Sequence, residues 1–123
     1  MENKRIIIRE FGGPEVLELV EEEYRPGLAP GEVLIRVEAT SACFTDSMIR
    51  KGLYRDVKQK PTSSPGYDLA GKVQAVGAEV VGFESGDRVA ALTVTGAYSQ
   101  FVKLPAQKLV RVPVGARGHI IDR

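Results

Sequence analysis

Apolar residues in this chain come in short runs, and glycine or proline ends nearly every run. Lys4–Glu10 (KRIIIRE) and Val16–Glu22 (VLELVEE) flank Gly12-Gly13-Pro14, which reads as two strands around a turn. Tyr24–Pro30 carries Pro26, Gly27 and Pro30 and reads as a loop. In Gly31–Ala39 (GEVLIRVEA), Val33, Ile35, Val37 and Ala39 alternate with Leu34, Arg36 and Glu38, the period of a half-buried strand. Ser41 or Thr45 can then cap a short helix that runs to about Lys51, with Gly52 as its stop. Tyr54–Pro65 is polar and without period, hence a loop. Leu69–Val76, Arg88–Val94, Tyr98–Leu104 and Leu109–Val112 complete a set of seven strands, and no internal repeat is visible.

Thirteen glycines and seven prolines, spread along the whole chain, leave little room for long helices. The pattern predicts an all-β barrel or sandwich with one short helix. At 123 residues the chain is one domain by length, large enough to bury a core without disulfides or structural metal. We place that domain at residues 1–113 and a tail without strong signal at 114–123.

Seventeen basic residues against sixteen acidic ones leave a net charge of +1, and the basic residues form no stripe. Nucleic acid and anionic membrane are therefore not the expected partners. A single cysteine, Cys43, cannot form an internal disulfide, which fits a cytoplasmic, reducing location. The three consecutive isoleucines near the N-terminus are too few for a signal-peptide core, and no run approaches a membrane span of about 20 apolar residues.

Six blocks follow one another in order: FGGPEVLEL (Phe11–Leu19), PGEVLIRVEA (Pro30–Ala39), DSMIRKGLY (Asp46–Tyr54), PGYDLAGKVQAVG (Pro65–Gly77), FESGDRVAAL (Phe83–Leu92) and GAYSQFVKLPAQKLVRVP (Gly96–Pro113). Together they resemble the N-terminal GroES-like catalytic domain of the medium-chain dehydrogenases/reductases, nearest the zinc-independent quinone oxidoreductases. The resemblance spans Lys4 to Pro113. It implies a partly open β-barrel forming one wall of a cleft and contacting the substrate. A Rossmann-type domain would form the other wall and bind NADPH, which would deliver hydride to a quinone or an activated C=C bond.

The same resemblance raises the question of zinc. Cys43-Phe-Thr-Asp46 matches the Cys-x-Thr-Asp element of zinc-dependent members, whose next ligand is the histidine of a Gly-His-Glu triplet. Here Gly66-Tyr67-Asp68 stands in that place. A tyrosine, whose phenol titrates near ~10, is a poor zinc ligand at neutral pH. Catalytic zinc takes three protein ligands, and the one histidine, His119, lies in the tail. The expectation is no zinc. Cys43 then reads first as a small, partly buried hydrophobe, and second as a cleft residue. In the quinone reductases that position is usually an asparagine near the nicotinamide, so Cys43 departs from both branches.

Tyr54 matches the tyrosine of the quinone reductases' Arg-x-Gly-x-Tyr element, with Arg50 and Gly52 before it. The resemblance implies that it lines the substrate pocket, where its hydroxyl can polarise a carbonyl oxygen. A half-buried aromatic with a wet hydroxyl is the structural alternative. The resemblance thus implies Tyr54 as the catalytic residue. Cys43, Tyr54 and Tyr67 would touch substrate, and Cys43 would also lie against the cofactor. Asp46 and Arg50, four apart, suit a local ion pair.

Gly66-Tyr-Asp-Leu-Ala-Gly71-Lys72 matches the start of a P-loop only by accident. Val73 stands where Ser or Thr must hold magnesium, and a strand pattern follows in place of a helix. Nor does a Gly-x-Gly-x-x-Gly element occur anywhere in these 123 residues. The chain thus reads as a GroES-like barrel lacking the Rossmann domain. It would be the substrate side of an NADPH-dependent oxidoreductase, inert until a cofactor domain joins it. The alternative is a stand-alone binding or assembly module. In either case uncovered strand edges are expected, to be met by a cofactor domain or by self-association.

Overall fold

The structure is a computed structural model that describes residues 2–25, 27–40, 50–51, 65–93 and 95–113. The tail 114–123 lies outside that set, as does the expected helix except for Arg50, which is helical. Seven strands occur among the described residues: β1 (Glu2–Ile8), β2 (Leu17–Glu23), β3 (Glu32–Ala39), β4 (Asp68–Val76), β5 (Arg88–Leu92), β6 (Phe101–Pro105) and β7 (Val110–Arg111). Two single 3-10 turns, Pro14–Val16 and Ala106–Lys108, separate β1 from β2 and β6 from β7. Val16 therefore belongs to a turn, not to the strand: proline, with φ preset, opens that turn.

β1 and β2 form an antiparallel ribbon in which Ile8 faces Leu17 and Ile6 faces Leu19. The other five strands form an antiparallel sheet in the order β6-β3-β4-β5-β7. Burial alternates along β4, where Leu69, Gly71 and Val73 point inward and Lys72 and Gln74 outward. Val89 and Ala91 of β5 continue that inner face. With Val33, Ile35, Ala97 and Leu109 they make the core. In β3 the strict alternation fails, since Leu34 is buried beside Val33 and Ile35. The extra residue of the register shift, Gln74, lies in β4 while β3 pairs regularly with β6, so Leu34 is buried on the face opposite the core cluster of Val33 and Ile35. Gly71 sits opposite Val37, where a side chain would run into the Arg36 carbonyl and the Ile35 methyl. The close approach expected of that glycine is present.

Ribbon and sheet are joined by the stretch just before β6. Ile6 N–H donates to the Tyr98 carbonyl at 2.8 Å, and Gln100 N–H to the Lys4 carbonyl at 3.0 Å. On its other side the Gln100 carbonyl accepts Val37 N–H at 2.8 Å. The staggered order is thus β2-β1-β6-β3-β4-β5-β7. Among the described residues no ladder joins β2 to β7, so the barrel is partly open.

Asn3, the one polar residue among the fully buried ones, completes the joint. Its Nδ2 donates to Ser99 Oγ at 3.0 Å, the Ser99 hydroxyl donates to the Phe101 carbonyl at 2.9 Å, and Asn3 Oδ1 accepts Phe101 N–H at 3.1 Å. Replacing Asn3 with alanine leaves the half-buried Phe101 N–H without its acceptor and Ser99 Oγ without its donor, at ~1–3 kcal/mol for the unmet amide. We expect Asn3→Ala to lower the free energy of unfolding by about 2–3 kcal/mol in urea titration. A loss below about 0.5 kcal/mol would show that the joint does not depend on this side chain.

The ribbon also carries a charge conflict. Glu2 faces Glu23 across the strands and lies beside Glu21. A hydrogen bond with the Glu21 carboxyl, and repulsion by that carboxylate, hold the Glu2 carboxyl above its ordinary range. A raised acid binds its proton more tightly in the folded state. Its stabilising contribution is therefore complete below the ordinary carboxylate range and is lost as pH rises through the raised value. Melts of wild type and Glu2→Gln should coincide near pH 4 and diverge towards pH 7, with the glutamine variant the more stable. Parallel curves would mean that the two carboxyls do not interact.

Candidate functional site: a rim at the end of the sheet

Because β3, β4 and β5 alternate in direction, the end of β3, the start of β4 and the end of β5 meet at one rim. Ala39 pairs with Ala70, and Asp68 pairs with Leu92. Tyr67 therefore lies between Thr40 on one side and Thr93 on the other. Thr40 Oγ1 donates to the Asp68 carbonyl at 2.7 Å. Thr93 N–H donates to the Tyr67 carbonyl at 2.7 Å, and Thr93 Oγ1 to the Gly66 carbonyl at 2.7 Å. Ala97 N–H reaches the same Gly66 carbonyl at 3.3 Å, and Tyr98 N–H reaches the Pro65 carbonyl at 3.0 Å.

Gly66 is buried with φ of +122°, and a Cβ there would lie 2.5–2.8 Å from backbone atoms of Ala97 and Tyr98. Only glycine meets both conditions. The turn into β4 is consequently fixed from three directions, while Tyr67 and Asp68 stay half-buried at its surface.

An open groove of about 580 Å³ abuts this rim. Its walls are mainly apolar, with Ile6 and Leu19 from the ribbon, Val37 and Ala39 from β3, and Ala97 and Tyr98 from the crossing stretch. Lys4 and Arg5 add cations, and Arg5 Nε lies 2.8 Å from Glu22 Oε1. Leu19 remains 68% exposed, so this apolar surface is uncovered by the described residues.

Of the residues singled out from the sequence, Tyr67 is at the rim. Cys43 and Tyr54 lie outside the described residues, as do Asp46 and His119. Among the described residues no three side chains of His, Cys, Asp or Glu come together. The expected Asp46–Arg50 pair lies outside the described residues; Arg50 itself meets Gly12, whose carbonyl accepts Arg50 Nε–H at 3.2 Å and whose N–H donates to the Arg50 carbonyl at 3.1 Å. Thr40 and Thr93 were missed by sequence reasoning. No local signal marks them, since each hydroxyl bonds a carbonyl 27 or 28 positions away. No helix among the described residues is long and apolar enough to cross a membrane.

A partly open antiparallel barrel with a buttressed rim is the architecture of a GroES-like domain. The chain belongs to the alcohol dehydrogenase GroES-like domain family, whose model matches residues 29–114. It is 45% identical over 114 residues to a quinone oxidoreductase of Pseudomonas aeruginosa, covering 91% of this chain and 34% of that one. The Escherichia coli quinone oxidoreductase, solved with NADPH, superimposes with a TM-score of 0.82 at 34% identity, over 93% of this chain and 34% of its own. A human synaptic vesicle membrane protein VAT-1 homolog-like protein gives 0.85 at 32% identity, over 95% and 37%. The chain thus spans about a third of the length of the relatives it matches.

The rim predicts its own weak point. Gly66→Ala must adopt a left-handed backbone, at ~1–3 kcal/mol, and push against a packed neighbour for a similar amount. We expect a loss of roughly 2–5 kcal/mol. In hydrogen exchange the Thr93 and Ala97 amides should lose protection first; unchanged exchange would show that the rim tolerates a side chain.

Proposed function

We propose that this chain is the acceptor-side wall of a zinc-independent, NADPH-dependent oxidoreductase that reduces a quinone or an enone by hydride transfer. What carries the reading is Tyr67. It stands where the resemblance puts the ligand histidine of zinc-dependent members, on a rim whose Thr40 also lines the mainly apolar groove. On this reading Tyr54 polarises the acceptor's carbonyl oxygen, Cys43 and Tyr67 line the acceptor, and Cys43 also faces the nicotinamide. NADPH supplies the hydride when a cofactor domain brings it. The described ladders are all antiparallel, and none of the described residues forms a βαβ cradle for a pyrophosphate. The described residues therefore do not fit the whole cofactor, and by themselves they would be inert. A cytoplasmic location agrees with the single cysteine.

A second reading, a stand-alone binding or assembly module, draws on the exposed apolar residues at both open edges, Leu19 of β2 and Val110 of β7. These edges would receive either a Rossmann-type domain or a second copy of the chain.

Purified chain should not oxidise NADPH with tetramethylbenzoquinone. Mixing it with a separately expressed cofactor domain from the Pseudomonas aeruginosa relative should give turnover. In that mixture Tyr54→Phe should lower kcat by about 100-fold or more, the scale of one general acid. Oxidation of NADPH by the chain alone would overturn the division of labour. No turnover from a mixture that demonstrably associates would favour the assembly module.

A further inference from the structure

We propose that Thr40 and Thr93 are positioning residues that set the direction in which Tyr67 leaves the sheet. The proposal rests on the reading of Tyr67 as an acceptor contact. Regular ladder bonds stop at the rim, since the last registered residues are Ala39 of β3 and Leu92 of β5. Each threonine stands one residue beyond that limit, and its hydroxyl takes over where the ladder ends. Three consecutive carbonyls are held in this way. Gly66 O accepts Thr93 Oγ1–H at 2.7 Å, Tyr67 O accepts Thr93 N–H at 2.7 Å, and Asp68 O accepts Thr40 Oγ1–H at 2.7 Å.

Thr93 holds both peptide planes that flank Tyr67, one through its hydroxyl and one through its amide, and Thr40 pins the next plane at Asp68. With only two soft dihedrals per residue, this fixes the Cα–Cβ bond of Tyr67. Gly66, with its left-handed φ, turns the chain into this clamp. A contact residue on a loop would lose orientation with each soft dihedral, whereas this one is held from two strands, as a positioned site requires. The clamp uses hydroxyl donors, so valine keeps the shape and loses the function, while serine keeps the donor.

Tyrosine ring-labelled NMR tests this on the full chain. Four signals are expected, from Tyr24, Tyr54, Tyr67 and Tyr98, and Tyr67→Phe assigns the relevant one. Thr93→Val and Thr40→Val should each shift the Tyr67 signal while leaving that of Tyr24 in place, and Thr93→Ser and Thr40→Ser should restore it. If Thr93→Val fails to fold, the exposed Thr40 carries the comparison. A Tyr67 signal that stays put in a folded valine variant, or that moves equally in the serine variants, overturns the proposal. Titration with tetramethylbenzoquinone, which has no open ring position for thiol addition, gives an independent arm. It should shift Tyr67 saturably in wild type and bind about threefold to tenfold more weakly in the valine variants. Valine and serine effects as expected, with Tyr67 indifferent to the quinone, would uphold the positioning role and refute the acceptor contact.

Discussion

Four residues, Tyr98–Phe101, must satisfy two strands at once, and the barrel depends on their doing so. Towards β1 they accept the Ile6 amide and donate to the Lys4 carbonyl; towards β3 they accept the Val37 amide. Without that double bonding the β1–β2 ribbon would be an isolated hairpin, which is marginal in water. The ribbon has little core of its own to compensate, since every residue of β2 except the half-buried Val20 is exposed. On β1, however, Ile7 and Ile8 are fully buried, so the attachment combines apolar burial with polar geometry. The polar share falls to a buried asparagine: Asn3, Ser99 and Phe101 close a ring of three hydrogen bonds with donors and acceptors matched. A buried polar group so satisfied specifies one arrangement, whereas a half-satisfied one would be worse than an apolar core.

The same stretch reaches the functional end of the molecule. Ala97 and Tyr98, immediately before it, donate their amides to the carbonyls of Gly66 and Pro65. Barrel closure and rim geometry are thus properties of one continuous segment, residues 97–101. The groove that abuts the rim is walled on one side by that segment and on the others by the ribbon it tethers and the end of β3. The groove's exposed surface is mainly apolar, and Lys4, Arg5, Glu38, Thr40, Ser99 and Gln100 stand among its lining residues.

How much of this was legible in the residues depends on which force fixed each element. The strands β4 and β5 were visible because burial dictates period two there, and Leu69, Val73, Val89 and Ala91 obey it. Leu34, read as the outward side of β3, is buried, because cover over a strand's second face is a property of the assembled barrel and leaves no mark on the strand's own period. The roles of Thr40, Thr93 and Asn3 were invisible for a related reason. Each bonds to residues 27 to 98 positions away, a distance over which local pattern carries no information. Tyr67 was legible only through resemblance; its composition and neighbours say nothing of a rim.

The two open edges differ in a way that constrains how anything can be added to this barrel. β2 carries Glu18, Glu21, Glu22 and Glu23 in seven residues, and Arg9, Arg5 and Arg25 lie against Glu18, Glu22 and Glu23. Two such acidic edges side by side would bring carboxylates together, which is how natural sheets discourage pairing with themselves. At the other edge, β7 is only two residues long, but the sheet face beside it is apolar. Ala39, Ala70, Ala90 and Val110 fall in one register row across β3, β4, β5 and β7, with Leu92 65% exposed next to them. Small residues in a row let another element approach the sheet closely, and the exposed leucine and valine supply apolar area to bury. Charge thus guards the ribbon edge, and apolar surface leaves the β7 side open to contact. The two edges thus differ in kind, one acidic and beside the groove, the other short and flanked by apolar surface.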